Sequence, residues 1–253
     1  MEEIMEIDQS TEAAKNLKRL FENPYPGRGI VIGRDESGNL VQIYWIMGRS
    51  ANSRNRIFSA VGPRIFTEPA DPAKAGDTSL IIYNAMDYIF GQHVVSNGKQ
   101  TDQIIAEING HDNFSRFAQG LSTHIYEPDK PNYTPRISAI ITAEAGKKPG
   151  FHMSVLRKSN ADESCERLFY SYEDIPAGFG RMVTTYTGDG NPLPSFIGEP
   201  ILVPLQGDIE EIKTAYWFAL NEENRVSLAV KLINPETCTS KVLIINKYKK
   251  TEV

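Results

Sequence analysis

Residues 29–47 read G-I-V-I-G-R-D-E-S-G-N-L-V-Q-I-Y-W-I-M, and this stretch decides the type of fold. Residues 29–32 and 40–47 at its two ends are rich in β-branched and aromatic side chains, which favour strands. Between them, residues 35–39 (D-E-S-G-N) are of the types that occupy tight turns. The stretch therefore predicts a β-hairpin, in which two antiparallel strands are joined by a turn.

Short β-rich runs continue along the chain, and they predict strands at residues 56–61, 64–67, 79–83, 92–96, 137–143, 151–157, 168–172, 182–186, 226–233 and 241–247. Helical spacing of apolar residues predicts helices at residues 10–21, 101–124 and 209–220, with Gly110 as a potential break in the second. This order lacks the alternating strand–helix rhythm of a doubly wound sheet. We expect one α+β domain over residues 1–253, with residues 1–23 as a helical extension. Its mostly antiparallel strands form either one sheet or two.

The composition excludes several classes of protein. The chain has 253 residues, with 27 Lys and Arg against 32 Asp and Glu, and its net charge is −5. This balance offers no large basic surface, so we expect no nucleic-acid partner. The sequence has no apolar run of about 18 residues, so we expect no membrane span. Residues 1–9 have no apolar run typical of a signal peptide, and we therefore expect a cytoplasmic protein.

Cysteine and histidine follow no metal-binding or disulfide pattern. Cys165 and Cys238 lie far apart, and metal-ligand spacing is absent from the four histidines, His93, His111, His124 and His152. We expect no metal site. The chain also lacks a G-x-S-x-G nucleophile motif. We interpret Cys165 as a structural residue rather than a nucleophile, because no neighbouring group marks its thiol as activated.

The densest group of polar residues follows the hairpin, where residues 44–56 read Y-W-I-M-G-R-S-A-N-S-R-N-R. Its last eight residues include three arginines, two serines and two asparagines. Guanidinium groups, hydroxyls and backbone N–H groups together suit a phosphate or carboxylate ligand. The alternative is a solvated basic loop without a ligand. The segment has neither the phosphate-binding loop of ATPases nor a G-x-G-x-x-G motif, so neither ATP nor NAD is implied.

Two other segments are candidates for a binding site. Residues 96–102 (S-N-G-K-Q-T-D) join a strand to a helix, and the start of a helix attracts anions. A plain turn is the alternative interpretation. Residues 175–181 and 186–196 are rich in glycine, proline and aromatic residues, and loops of this length are often functional. Disorder is the alternative for this second candidate.

Four segments together carry a resemblance to a known family: residues 44–56, Asn97-Gly98 with Thr101-Asp102, residues 134–137 (T-P-R-I), and residues 185–200 (T-Y-T-G-D-G-N-P-L-P-S-F-I-G-E-P). They resemble the archaeal-type inosine monophosphate (IMP) cyclohydrolase family and its bacterial relatives. The resemblance implies a four-layer α-β-β-α sandwich over residues 24–253, like that of N-terminal-nucleophile hydrolases. It also implies the last step of purine biosynthesis, in which formamido-imidazole-carboxamide ribonucleotide (FAICAR) closes to IMP with loss of water.

The resemblance also implies which partners and residues take part. The partner is a small purine ribonucleotide, with no metal or organic cofactor, and the chain is a possible homo-oligomer. The reaction joins two arms of one molecule, so the enzyme must fold the substrate and stabilise charge. The candidates for catalysis are Tyr44, Arg49 and Asp102, with Tyr44 and Asp102 in proton transfer. The candidates for substrate binding are Ser50, Arg54, Asn55, Arg56, Asn97, Arg136 and Thr187. Two alternatives stay open: an amide hydrolase of the same sandwich class, and a purine nucleotide-binding protein without catalysis.

Overall fold

The computed structural model describes residues 8–108 and 113–250. This part of the chain contains thirteen strands: β1 (Gly29–Arg34), β2 (Leu40–Met47), β3 (Ile57–Val61), β4 (Arg64–Glu68), β5 (Asn84–Ile89), β6 (Gln92–Ser96), β7 (Arg136–Thr142), β8 (Gly150–Lys158), β9 (Cys165–Tyr172), β10 (Phe179–Thr184), β11 (Ile201–Pro204), β12 (Arg225–Ile233) and β13 (Ser240–Asn246). The same part contains five α-helices: α1 (Gln9–Glu22), α2 (Ala51–Arg54), α3 (Gln100–Glu107), α4 (Asn113–Gly120) and α5 (Ile209–Ala219).

The strands form two sheets, and neighbouring strands within each sheet are antiparallel. The six-stranded sheet has the order β11-β10-β1-β2-β12-β13, and the seven-stranded sheet runs from β3 to β9 in sequence order. The predicted hairpin is β1–β2, with Gly29 opposite Trp45 and Arg34 opposite Leu40. The α+β class with mostly antiparallel sheets is confirmed.

Strand β2 lies at the centre of the packing and is buried along its whole length. Because successive side chains of a strand point to opposite faces, its residues divide into two sets. Tyr44 and Ile46 belong to the core between the two sheets, which also contains Val95 of β6. Ile43 and Trp45 belong to the core on the outer face. Burial on both faces explains why this strand reads as an almost continuous apolar run.

Helices cover the outer faces of both sheets. Leu20 of α1 and Trp217 of α5 pack in one cluster with Trp45 of the six-stranded sheet. Ile104 of α3 and Phe117 of α4 pack together on the seven-stranded sheet. None of the described helices combines the length and the apolar character needed to cross a membrane.

The strand predicted at residues 79–83 is wrong. The backbone N–H groups of Ile81 and Ile82 both donate to the carbonyl oxygen of Thr78, at 3.1 and 3.0 Å. This turn takes the donors that a strand would use for its ladder. The backbone N–H of Tyr83 donates to Oγ1 of Thr67 at 2.9 Å, and β5 begins only at the next residue. The three apolar residues 81–83 therefore do not form the strand that their side chains favour.

The single helix predicted at residues 101–124 is also wrong, because α3 and α4 are separate helices packed side by side. Gly120 lets them approach closely, since a Cβ atom there would lie 2.8 Å from Cα of Ile104. The apolar residues assigned to one long stripe thus belong to two helices that share one core. Gly110, the potential break, lies outside the described residues.

Candidate functional site

A cavity of about 310 Å³ lies at the end of the six-stranded sheet where β1 begins and β2 ends. Its charged lining consists of three arginines and two acidic residues, Arg28, Arg49, Arg56, Glu127 and Asp129. Hydroxyl groups are contributed by Tyr25, Ser50, Ser53, Thr134 and Tyr186. We call this space the arginine cavity. It joins segments that are more than 150 residues apart in sequence, from Tyr25 to Leu193.

The loop after β2 turns sharply and brings polar groups to the arginine cavity. Gly48 is required at the turn, because a Cβ atom there would lie 2.7 Å from the carbonyl oxygen of Ser53. Ser50 caps the short helix α2, since its Oγ accepts from the backbone N–H of Ser53 at 3.1 Å. Such caps satisfy backbone donors that the helix leaves free. The loop is thus held in one conformation by its own hydrogen bonds.

Arg56 is a buried cation on the wall of this cavity, with only 2% of its surface exposed. Its Nε donates to the carbonyl oxygen of Ser53 at 2.8 Å, and its Nη2 donates to that of Met47 at 3.1 Å. Its Nη1 is buried and has no partner within the described residues. Burial lowers the pKa of Arg56, but arginine remains charged in proteins. A buried cation with a free donor suits a negatively charged ligand.

Arg49 lies at the mouth of the arginine cavity, and 39% of its side chain is exposed. Its guanidinium group stacks over the ring of Tyr25, at 4.9 Å from the ring centre. It also pairs with the carboxylate of Asp189 and donates to the carbonyl oxygen of Gly190 at 3.2 Å. Arg49 therefore links the loop after β2 to the G-D-G segment at residues 188–190.

Arg28 and Glu127, which both line the arginine cavity, form a buried ion pair. Two parallel hydrogen bonds of 3.0 and 2.9 Å join the guanidinium group to the carboxylate. Burial is the largest single effect and disfavours the charge on Arg28, but Glu127 and the surrounding tyrosines together raise the pKa of Arg28 well above its usual value. Burial raises the pKa of Glu127, and Arg28 opposes that shift. Arg136 is a second cation, 3.9 Å from Glu127.

A chain of hydrogen bonds connects Tyr186 to Asp129 through Thr134. The Asp129 carboxylate accepts from the backbone N–H of Thr134 at 2.7 Å and also from its hydroxyl. The same Thr134 oxygen is in contact with the Tyr186 hydroxyl. Because the threonine proton points to the carboxylate, the tyrosine is the donor to Thr134. Burial raises the pKa of Tyr186 to about 12, so its side chain is a neutral phenol at physiological pH.

Tyr44 lies behind the arginine cavity and does not line it. Its side chain is fully buried, and its hydroxyl shares a hydrogen bond of 2.6 Å with that of Tyr83. Burial raises the pKa of Tyr44 well above its usual value. The Tyr44 phenol is therefore neutral, and its described hydrogen bond is directed to Tyr83 rather than to the cavity.

Among the residues that the sequence predicted for the site, Arg49, Ser50 and Arg56 line the arginine cavity. Arg54 and Asn55 come from the same loop but bond elsewhere. Arg54 donates from Nε to the carbonyl oxygen of Gly48 at 2.9 Å and from Nη2 to Oδ1 of Asn224 at 3.0 Å. The Asn55 side chain bonds to the backbone of Asp71 through both of its polar atoms. Both side chains hold the loop in place.

The remaining predicted residues lie outside the lining of the arginine cavity. Asn97 is fully buried, and its side chain bonds to the backbone of residues 135 and 137. Arg136 donates to the carbonyl oxygen of residue 125 at 2.9 Å. Asp102 is on the exposed side of α3, where it accepts from Asn84 at 2.7 Å. Thr187 lines a different cavity, described below.

Sequence reasoning missed Arg28, Glu127, Asp129 and the tyrosines of the lining. Tyr186 and Thr134 were within the segments 185–200 and 134–137 but were not chosen individually. Arg28 and Glu127 are 99 residues apart, so no pattern of nearby residues could have predicted that they form a pair. Tyr25 and Arg28 precede β1, and only the fold places them beside the loop after β2.

The arginine cavity has the size of a small-molecule pocket, which is typically about 300–1,000 Å³, and three arginines line it. The family described as IMP cyclohydrolase-like protein matches residues 25–237. The chain belongs to this family, and the resemblance noted in its sequence is confirmed.

Two archaeal proteins named IMP cyclohydrolase are similar to this chain. The protein from Methanothrix thermoacetophila is 32% identical over 168 residues, which are 66% of this chain and 76% of the relative. The protein from Methanococcus maripaludis is 30% identical over 122 residues, which are 47% of this chain and 59% of the relative. Helix α1 precedes the part of the chain that the family match covers.

Proposed function

We propose that this chain is an IMP cyclohydrolase that closes FAICAR to IMP with loss of water, and that the arginine cavity is its active site. Family membership and two relatives of that name support the reaction. The observation that carries the choice of site is Arg56, a buried cation with a donor that no described residue uses. A ribonucleotide phosphate supplies the acceptor that this donor needs.

In this proposal the loop after β2 holds the phosphate of the substrate. Arg56 and Arg49 donate to its oxygens, and Ser50 contributes a hydroxyl. The phosphate takes the place of Asp189, which pairs with Arg49 in the structure described here. Arg54, Asn55, Asn97 and Arg136 act as positioning residues through the backbone bonds described above. Asp102 and Thr187 have no role in this cavity.

The chemistry begins when the carboxamide nitrogen attacks the formyl carbon, which forms a C–N bond and makes the formyl oxygen negative. The nitrogen gives its proton to the Tyr186 oxygen, while the Tyr186 proton moves to Thr134 and the Thr134 proton moves to Asp129. Tyr186 then gives a proton to the negative oxygen as the Asp129 proton returns through Thr134, which makes a hydroxyl group. The formamido nitrogen gives its N–H proton to this hydroxyl, which leaves as water, and the electrons of that N–H bond form the C=N bond of IMP between this nitrogen and the formyl carbon. Arg28 lines the same cavity and stabilises the negative oxygen. Tyr44 acts as a positioning residue by holding Tyr83.

We also propose the finer description of the fold. Two facing sheets with helices on both outer faces support the α-β-β-α sandwich of N-terminal-nucleophile hydrolases. We further propose that residues 1–253 form one domain, that the protein acts in the cytoplasm on a soluble purine ribonucleotide, and that it uses no metal or organic cofactor.

The test is turnover of FAICAR by the purified protein, with the product identified by mass spectrometry. IMP is expected, with a mass lower than that of FAICAR by one water. Tyr186→Phe and Asp129→Asn are expected to lower kcat by about 10²–10⁴-fold, as for other losses of proton transfer, with little change in KM. Arg116→Ala on α4, outside the cavity, is the control.

Other outcomes of this assay decide between the alternatives. A hydrolysed amide in place of IMP would identify an amide hydrolase. Binding of IMP without any turnover of FAICAR would identify a nucleotide-binding protein without catalysis. Normal kcat in both Tyr186→Phe and Asp129→Asn would remove the proposed hydrogen-bond chain from the mechanism while leaving the reaction itself in place.

A further inference from the structure

A second, larger cavity of about 720 Å³ lies between α1 and the strands β10 and β11. We call it the α1 cavity. Helix α1 supplies one wall and is held to the edge strand β11 by a hydrogen bond of 2.8 Å from Nδ2 of Asn16 to the carbonyl oxygen of Leu202. Since the family match begins at residue 25, this wall comes from a part of the chain outside that match.

The α1 cavity is separate from the arginine cavity, although the two share a wall. In the segment between α1 and β1, Pro24 and Pro26 line the α1 cavity, whereas Tyr25 and Gly27 line the arginine cavity. Tyr186 contributes to both linings. Alternate residues of this segment thus line different cavities, so a ligand in one cavity does not occupy the other.

The walls of the α1 cavity are mainly apolar. Leu20, Met182 and Phe196 are each only 3% exposed and line it, while Ile197 lies at the rim with 61% of its surface exposed. Concave apolar surfaces of this size with a small number of polar groups are typical of small-molecule sites. The apolar part of a ligand would therefore be buried against Ile197, Ile201 and Leu202, which line the cavity and are still partly exposed.

One positive charge in the lining is unneutralised. Arg19 is paired with Glu12, and Glu22 is paired with Lys18, each at 3.5 Å. The side chain of Arg181, in contrast, makes no ion pair or hydrogen bond within the described residues, and its guanidinium group stacks over the ring of Tyr172 at 5.1 Å. Among the residues that the structure describes, the lining thus offers a single free cation beside an apolar surface.

We propose that the α1 cavity is a second binding site, for a small amphipathic molecule with one negative charge. The carboxylate, sulfonate or phosphate of this molecule pairs with Arg181. Its ring or aliphatic body packs on the partly exposed side chains of Ile197, Ile201 and Leu202. The site is distinct from the one proposed for FAICAR, and it stands whether or not the chain closes that substrate.

The probe for the test is 8-anilinonaphthalene-1-sulfonate, an aromatic molecule with one sulfonate, whose fluorescence rises on binding. One equivalent is expected to bind the folded full-length chain, and saturating IMP is expected not to displace it. N-phenyl-1-naphthylamine has the same rings without the sulfonate, and it is expected to bind about fivefold more weakly.

Two variants locate the probe. Arg181→Met is expected to weaken its binding about fivefold. Ile197→Asp places a negative charge at the exposed rim and is expected to weaken it similarly, whereas the neutral Ile197→Asn retains more of the affinity. Circular dichroism checks that each variant is folded. Unchanged affinity in both Arg181→Met and Ile197→Asp would overturn the proposal, as would displacement of the probe by IMP.

Discussion

The buried pair of Arg28 and Glu127 gives the sharpest prediction for stability. Arg28 has only 10% of its side chain exposed and Glu127 only 3%, and two hydrogen bonds of 2.9–3.0 Å join them. Removing one partner of such a pair leaves an uncompensated buried charge, which costs about 3–5 kcal/mol. We therefore expect Arg28→Met and Glu127→Met each to lower the free energy of unfolding by about that amount. Glu127→Met is expected to cost more, because Arg136 lies 3.9 Å from the carboxylate and would join Arg28 as a second unpaired cation.

The double variant Arg28→Met/Glu127→Met removes both charges together. Its cost is expected to be smaller than the summed costs of the single variants by about 2 kcal/mol or more, since neither Arg28 nor Glu127 is left without the other and only Arg136 loses a partner. The assay is equilibrium unfolding in urea at neutral pH. Glu22→Gln is the matched control, because Glu22 and Lys18 form an ion pair on α1 with 58% and 74% of their side chains exposed. Its cost is expected to be below about 0.5 kcal/mol. Additive single variants, each costing no more than that control, would refute this reasoning.

Three further predictions concern the cavity wall, its backbone and the interior. Arg49→Ala is expected to lower kcat/KM for FAICAR by about tenfold or more, which is the effect of losing one charged hydrogen bond. The control Arg116→Ala is expected to retain the normal kcat/KM. If Arg49→Ala turned over FAICAR as well as this control, Arg49 would not belong to the site. Gly27→Ala is expected to cost about 1–3 kcal/mol in urea unfolding, because a Cβ atom there would lie 2.2 Å from a neighbouring side chain and the backbone has a φ of 71°. Gly38→Ala has a similar φ of 84° but open space around it, so a smaller loss is expected, and an equal loss would contradict the steric argument. Burial, with the charge of Lys231, holds the pKa of His93 at about 3, so the folded protein binds fewer protons than the unfolded chain between pH 3 and 6.5. The free energy of unfolding therefore falls as the pH falls through this range, by up to about 4–5 kcal/mol at 1.36 kcal/mol per pH unit. The variant His93→Phe is expected to reduce this loss, which is measured by urea unfolding at pH 4 and at pH 7.

Local patterns predicted most of the strands, because alternation and turn residues are properties of neighbouring residues. The hairpin at residues 29–47 is an example, since its strands and its turn are all encoded within nineteen residues. The apolar pattern gave a wrong strand where local hydrogen bonds form a turn instead, as at Thr78. Strand β11 was not predicted, because its four residues are too short to show a period.

The site was predicted only in part for a related reason. The loop after β2 holds its arginines close together in sequence, and two of them, Arg49 and Arg56, line the arginine cavity. Arg54 follows the same pattern but points to Asn224, which is 170 residues away. The composition of the loop cannot show which arginine side chains point into the cavity, because the fold sets the direction of each one. Pairs such as Arg28 and Glu127 depend wholly on tertiary structure.

A crystal structure of the protein with bound IMP would locate the active site. We expect the phosphate of IMP to lie within hydrogen-bonding distance of Nη1 of Arg56, with Arg49 released from Asp189 and the purine ring beside Tyr186. A nucleotide bound outside the arginine cavity, or bound within it with its phosphate away from Arg56, would contradict the account.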